Sequence, residues 1–430
     1  MRVTTVAVPD VFDAPSSRYA VRVGTDSGTE RRESANEIAA RIVGLMQGTE
    51  RGETIGPIID MLATAPAHWL DEILSTLDLQ RLLDKARDQS GGSAHHMKLV
   101  DLLAVQRIDQ LGIQVRSALL RALQRGPRGP RLDGAARSIL LATHGRALTR
   151  LKNAVDGAGD EYDLQDLVFR AVGSPQVRDE ILAHIATQAA GLSRDEIKIL
   201  SDVDDTLYAN WKDDRYPSKT VYPGVIQLYR ELDAGRDQQT GYVGDLVFVT
   251  ARPSGRGLIE RRTHRSLRKR GIDKATVLSG SFRRVLGNAA IASKKLENFL
   301  QYAELFPEYD FVFYGDSGQG DVRFGQDMLR AHPARVRAVF IHDVVGTPAP
   351  VRDDFARQRI FFFDTYVGAA TIACSLGLLS TAALERVIDA ARSDFADIPF
   401  RDLAMRACRE ADLETDIAQA RAMIARPHAP

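Results

Sequence analysis

The sequence has few of the residues that mark disulfide-bonded, zinc-binding or membrane-spanning proteins. Only two of its 430 residues are cysteines, Cys374 and Cys408, and they lack the paired spacing of metal ligands. Both lie in apolar helical patterns, which predicts buried thiols. The longest apolar stretch, residues 366–379, is interrupted by Gly, Thr and Ser and is too short to cross a bilayer. The first residues also lack the basic start and apolar run of a signal peptide, so we predict a cytoplasmic protein.

The sequence also has no excess of positive or negative charge, because 57 basic residues balance 57 acidic ones. No global field therefore draws the chain to nucleic acid or to a membrane, and any electrostatic targeting must come from a local patch. The apolar share of 44% and the charged share of 27% are typical of a folded globular protein.

The first part of the chain has the pattern of consecutive helices. Over residues 34–194 apolar side chains recur at spacings of three and four, with Gly-rich or Pro-rich breaks at 89–94 and 126–130. This pattern predicts an all-helical domain preceded by an irregular segment, residues 1–33. No reactive group is recognisable there, so a protein partner or an oligomer contact through these helices stays open.

Short apolar runs then alternate with amphipathic segments, which indicates βαβ units. We predict a Rossmann-like α/β domain over residues 195–365, with a parallel sheet covered by helices on both faces. Residues 366–430 return to a helical pattern and are expected to pack on that domain. The predicted strands are 197–201, 246–250, 276–278, 311–314, 336–341 and 360–363.

Three carboxylates follow the first predicted strand, in the run Ser-Asp-Val-Asp-Asp-Thr of residues 201–206. Such a cluster is repulsive unless a cation neutralises it, and oxygen ligands favour a hard ion such as Mg²⁺. Asp202 and Asp204 are two residues apart, so an extended backbone would point both the same way. An acidic turn that merely caps the next helix is the alternative.

Three further elements stand at strand ends or helix starts. Thr250 closes a strand, where a hydroxyl and backbone amides could hold a phosphoryl oxygen. Lys295 opens a helix and could neutralise both a carboxylate and a phosphate, with Lys294 as the rival for that role. Residues 311–321 form a buried strand that ends in Gly and two acids, Asp316 and Asp321, a second source of Mg²⁺ ligands.

In this order the four elements resemble the motifs of the haloacid dehalogenase superfamily. The resemblance implies a phosphohydrolase with Asp202 as nucleophile and Asp204 as general acid and base. It also implies which residues bind the phosphate and the ion: Thr250 and Lys295 for the phosphate, and Asp202, Asp204, Asp316 and Asp321 for Mg²⁺.

A narrower resemblance covers residues 198–387 and concerns the catalytic domain of the actin-patch-protein type of phosphatidate phosphatase. It implies hydrolysis of phosphatidate to diacylglycerol and phosphate. The similar stretches are 201–206, 222–225, 295–296, 306–307, 315–319 and 361–370.

Two features of the sequence favour a large anionic lipid as substrate. About forty residues separate the acidic motif from Thr250, which leaves little or no room for a cap domain over the site. Residues 252–295 contain thirteen Lys or Arg and two acids, which predicts a basic surface that would attract an anionic membrane. A solvated helix face is the alternative for this stretch. Its single aromatic residue, Phe282, gives no support for nucleic-acid binding.

Two rival functions stay open. The same site could act on a phosphoprotein or a soluble phosphate ester. Alternatively, the helical half could make the protein an interaction scaffold whose phosphatase domain is vestigial. Intact Asp202, Asp204, Lys295 and Asp316 argue against the scaffold.

Overall fold

The computed structural model describes residues 34–47, 54–88, 92–160, 162–234, 246–250, 264–272, 275–279, 288–318 and 320–425. Its N-terminal half is helical, in agreement with the prediction. Two single turns of π-helix, Leu102–Gln106 and Leu167–Ala171, and a 3₁₀ turn, Ile108–Gln110, interrupt it. The α-helices are Ala35–Gln47, Ile55–Thr64, Ala67–Ser75, Leu79–Asp88, Gly92–Asp101, Ile113–Gln124, Pro130–Leu141, Gly145–Asp156, Leu164–Asp166 and Pro175–Ala189.

A six-stranded, wholly parallel sheet follows, with the strand order β3-β2-β1-β4-β5-β6. The predicted sheet is therefore confirmed, and each observed strand contains its predicted run. The strands are β1 (Ile197–Ser201), β2 (Leu246–Thr250), β3 (Thr276–Ser279), β4 (Asp310–Asp316), β5 (Val336–His342) and β6 (Ile360–Phe363). The helices that accompany them are Val225–Asp233, Asn288–Leu305, Asp321–Ala331, Ala349–Ala356, Tyr366–Ser375, Thr381–Ala396 and Leu403–Ile424.

The two faces of the sheet belong to two separate cores, because successive side chains of a strand point to opposite sides. In β4, Phe311 and Phe313 pack into a core with the helix Asn288–Leu305 and the helical half of the chain. Val312 and Tyr314 pack instead against the C-terminal helices. The C-terminal helices thus share a core with the face of the sheet that carries Val312 and Tyr314.

The helical half joins the sheet region through buried polar contacts as well as apolar ones. The Lys152 ammonium is 2.7 Å from a carboxylate oxygen of Glu308, and both side chains are at most 5% exposed. The Asn153 side chain donates to the Tyr309 hydroxyl at 2.7 Å and accepts from Lys198 at 2.8 Å. These contacts tie the two parts of the chain into one packed body.

Some sequence predictions are corrected here or lie outside the described residues. The prediction of buried thiols is wrong for Cys408, which is exposed, and Cys374 is only half-buried. The buried face of the helix Leu403–Ile424 is formed by residues 413, 417 and 420, and position 408 lies on another side. The segment 1–33 is outside the described residues. Within the described residues, no helix is long and apolar enough to cross a membrane.

Candidate active site

The candidate site lies where the strand order reverses, between β1 and β4. These two strands are neighbours, with Ser201 opposite Tyr314, although β2 and β3 lie between them in the chain order. In open parallel sheets, this reversal leaves a crevice at the carboxyl ends of the strands, and ligands bind there. Asp202 directly follows β1, and Asp316 is the last residue of β4.

Three buried carboxylates meet in this crevice. Asp202, Asp316 and Asp321 each contribute an oxygen, and these oxygens lie within 4.8 Å of one another. Asp321 reaches the other two because it begins the helix after β4 and because Gly315 leaves room for it. A Cβ atom at position 315 would be 2.7 Å from the Asp321 carboxylate, so only glycine permits this approach.

Lys295 completes the cluster from within the helix Asn288–Leu305. The prediction that Lys295 opens this helix is wrong, because the helix already begins at Asn288. The Lys295 ammonium donates to Asp202 Oδ1 at 2.7 Å and to Asp321 Oδ1 at 2.5 Å, and the residue is 4% exposed. The neighbouring Lys294 instead forms an ion pair with Glu297 at the surface. The structure therefore places Lys295, and not its rival, among the carboxylates.

The cluster is short of positive charge, since three carboxylates face one ammonium. Burial raises the pKa of Asp202 to about 7, although Lys295 acts in the opposite direction. Burial, together with Asp321 and Asp202, raises the pKa of Asp316 to about 9. Burial alone would lower the pKa of Lys295, but the two carboxylates raise it overall. A hard divalent cation with oxygen ligands fits this donor set and would relieve the repulsion.

Asp204 lies beside the cluster but not in it. Its backbone amide donates to Asp202 Oδ2 at 3.1 Å, and its carboxylate accepts from the Asn210 side chain at 2.7 Å. The carboxylate is half-buried. The expected contribution of Asp204 to the ion through its backbone carbonyl stays a prediction.

Asp205, the third acid of the motif, holds the loop that follows. Its backbone is left-handed, with φ of 58°, and its carboxylate accepts the amides of Asn210 at 2.7 Å and Lys212 at 2.8 Å. Asp205 therefore anchors a loop and caps no helix, because the next helix, Val225–Asp233, has no side-chain cap. The alternative of an acidic turn that caps the next helix is not observed. Sequence reasoning did not assign roles to Asp205 or Asn210. The polar residue four positions beyond the motif was the only signal for Asn210.

Thr250 ends β2, the neighbour of β1 on the other side. Its backbone is paired with Ser279, but its side chain is outside what the structure describes. The predicted role of Thr250 therefore stays a prediction, as does the division of the metal ligands.

The fold and site together define an α/β protein with an acidic, lysine-containing crevice suited to a divalent cation and a phosphoryl group. Residues 197–343, from β1 to just after β5, match the family model described as phosphatidate phosphatase APP1, catalytic domain. The helical half lies outside this match. Neither the curated proteins nor the solved structures contain a significant match to the chain.

Proposed function

We propose that the protein is a Mg²⁺-dependent phosphatidate phosphatase that works through a phosphorylated Asp202. The observation that carries this proposal is the meeting of Asp202, Lys295, Asp316 and Asp321 at the reversal of strand order, inside the segment that matches the phosphatidate phosphatase family model. The likeness of the four motifs to the haloacid dehalogenase superfamily supports the same chemistry.

The proposed reaction has two steps. In the first, an Asp202 oxygen attacks phosphorus, the bond from phosphorus to the glycerol oxygen breaks, and Asp204 gives its proton to the departing alkoxide. In the second, Asp204 takes a proton from water, whose oxygen attacks phosphorus and releases phosphate from Asp202. A Mg²⁺ ion held by Asp202, Asp316 and the Asp204 carbonyl would neutralise the charge between nucleophile and phosphoryl group.

The chain's own groups supply the rest of the site. Lys295 fixes Asp202 Oδ1, and the Asp204 amide fixes Oδ2, so the nucleophile is held in one orientation. Asp321 holds Lys295 and approaches the Asp316 amide at 3.4 Å. In this arrangement Asp321 aligns the lysine and the last strand residue, and it would be a further oxygen ligand for the ion. Asn210 orients the Asp204 carboxylate toward the leaving group.

A comparison of substrates tests the proposal. We expect kcat/KM with Mg²⁺ to be much higher for vesicle-bound phosphatidate than for glycerol 3-phosphate or a phosphoserine peptide. A preference for either soluble ester would replace the lipid assignment by the rival phosphatase function.

Replacement of the nucleophile tests the mechanism. Asp202→Asn keeps the shape of the side chain but removes the attacking charge, so phosphate release should fall by at least about a thousandfold. Unchanged phosphate release from the purified variant would refute the catalytic role of Asp202, whereas no phosphate release from the parent protein would favour the vestigial-domain alternative.

A further inference from the structure

Two large apolar side chains are exposed on loops at the carboxyl edge of the sheet, next to the candidate site. Trp211 is 76% exposed and lies on the loop that follows the acidic motif. Val345 is 59% exposed and lies on the loop that follows β5. Exposed apolar side chains that lie together beside a site can mark an interaction surface, and an indole is suited to a boundary that is apolar on one side and wet on the other.

The loop that carries Trp211 is held rigidly. At one end the Asp205 carboxylate accepts the Trp211 amide at 3.1 Å and the Lys212 amide at 2.8 Å. At the other end the buried Asp213 carboxylate pairs with Arg215 at 2.7 Å and accepts the Tyr222 hydroxyl at 2.8 Å. The backbone around Trp211 is therefore fixed at both ends, and the indole is presented to solvent.

The loop that carries Val345 is held in the same way. The segment that follows Asp316 lies between this loop and the Trp211 loop and contacts both of them. The Asp343 carboxylate accepts the amides of Val345 at 3.3 Å and Thr347 at 2.7 Å. The Ser317 hydroxyl, next to Asp316, accepts the Val345 amide at 3.3 Å. A Cβ atom on the adjacent Gly318 would be 2.9 Å from the Lys212 side chain. The two apolar tips thus flank the segment that carries Asp316.

Basic side chains surround the Trp211 loop. Lys212 and Lys219 are exposed on it, and the exposed acid of this loop is Asp214. The helical turn of residues 264–268 begins a second segment with exposed basic residues. This segment contacts the Trp211 loop at the Tyr208 ring. The Arg270 guanidinium is 4.3 Å and the Lys219 ammonium 4.9 Å from that ring centre. The exposed basic residues of this segment are Arg265, Arg268 and Lys269.

We infer that Trp211 and Val345, with Lys212, Lys219 and the basic segment 265–270, form an interfacial rim that seats the active site on an anionic lipid bilayer. Indole rings favour the boundary between head groups and acyl chains, and each nearby Lys or Arg adds attraction to anionic lipid. A membrane explains both the exposed Trp and the positive charge, whereas a soluble substrate needs neither. This inference rests on the proposed function, because it states how that site would reach a substrate that stays in a bilayer.

Tryptophan fluorescence tests the rim without catalysis. The chain contains two tryptophans, and the other one, Trp69, is half-buried in the helical half. In the Trp69→Phe variant all the indole emission comes from Trp211. With vesicles of phosphatidylcholine and about 30 mol % phosphatidylserine, which is not a substrate, we expect a blue shift and protection from acrylamide quenching. Phosphatidylcholine alone should give a smaller shift. No shift and no protection at saturating anionic vesicles would overturn the inference.

Activity measurements supply the second test. Trp211→Ala and Val345→Ser should each lower kcat/KM on vesicle-bound phosphatidate, by roughly tenfold for the indole, and leave it within about twofold on a monomeric short-chain phosphatidate. Val105→Ser is the matched control, because Val105 is 51% exposed but lies in the helical half. Equal losses on both substrates would mean that Trp211 supports the site itself, and would refute the rim.

The two tests separate this inference from the proposed function. If no phosphatidate is hydrolysed but Trp211 still enters anionic vesicles, the rim stands and the proposed reaction fails. If phosphatidate is hydrolysed but Trp211 stays in water and its loss is harmless on vesicles, the reaction stands and the rim fails.

Discussion

Replacement of Lys295 by methionine should disable the site and weaken the fold together. The lysine is the cation that the structure places among the buried carboxylates of Asp202, Asp316 and Asp321, with contacts of 2.7 Å and 2.5 Å to two of them. Methionine has nearly the same length and fills the same space without charge. The variant therefore isolates the electrostatic contribution of the ammonium from its packing.

The expected size of the effect follows from burial. Removal of one partner from a buried ion pair leaves an uncompensated charge and typically costs about 3–5 kcal/mol of the free energy of unfolding. The pKa of Asp202, already about 7, would rise further, so more of the nucleophile would be protonated at neutral pH. Together with the lost contact to the phosphoryl group, we expect kcat to fall by at least about a thousandfold.

The adjacent lysine supplies the control for this experiment. Lys294→Met removes the surface pair with Glu297, and such pairs contribute less than about 1 kcal/mol. Urea unfolding and phosphate release would be measured for both variants, with the folded fraction checked by circular dichroism. If Lys295→Met keeps activity within tenfold of the parent, or if Lys294→Met loses as much, the electrostatic account of the site is wrong.

Three further outcomes are expected. Lys152→Met should lower the free energy of unfolding in urea by about 3–5 kcal/mol, because it removes the cation that is paired with the buried Glu308 carboxylate. Glu308→Leu in the same chain should restore most of the loss. Burial raises the pKa of Asp416 to about 6, so the folded protein binds this proton more tightly than the unfolded chain. The stability gained from that proton is full below the unfolded pKa, about 4, and is lost as the pH rises through about 6. Asp416→Asn should therefore be more stable than the parent protein at pH 7, by roughly 1–3 kcal/mol in urea titrations. At pH 4 the variant should show no gain. Finally, protons compete with Mg²⁺ for Asp202 and Asp316, whose pKa values are about 7 and 9. Calorimetry should therefore show the affinity for Mg²⁺ rising with pH, by up to about a hundredfold per pH unit near pH 6, where both carboxyls are protonated, and up to about tenfold near pH 8. An affinity independent of pH would contradict the assigned ligands.

The strands were predictable because a parallel sheet buries both faces. Each residue of β4 is buried, so the strand stands out as a continuous apolar run followed by glycine and acids. The order of the strands was not predicted, because the sequence does not show after which strand the chain returns to the other side of β1. The arrangement of the helical half on the sheet was beyond prediction for a similar reason. Its polar contacts, such as Lys152 with Glu308, join residues about 150 positions apart.

Most of the candidate site was predictable from the order of the motifs. The choice between Lys294 and Lys295 could also have been made from the sequence, by asking which of the two lies on the apolar side of its helix. Phe299 and Tyr302 are buried, four and seven residues after Lys295, so Lys295 lies on the inward stripe of its helix. Lys294 is one position away from that stripe. The role of Asp205 in holding the loop could not be predicted, because it depends on the left-handed turn at that residue.

The helical half has a physical connection to Lys295 that a simple appended module would lack. The helix Asn288–Leu305 carries Lys295 near its beginning, and the helical half holds the same helix further along. Gln165 donates to the Asn298 carbonyl at 3.3 Å, and the Tyr302 hydroxyl donates to Asp156 at 2.7 Å. Lys152 donates to the Leu305 carbonyl at 2.7 Å. Since a buried helix moves as a unit, these contacts fix its axial position and hence the distance from Lys295 to Asp202. The helical half is therefore part of the support of the active site, whatever else it binds.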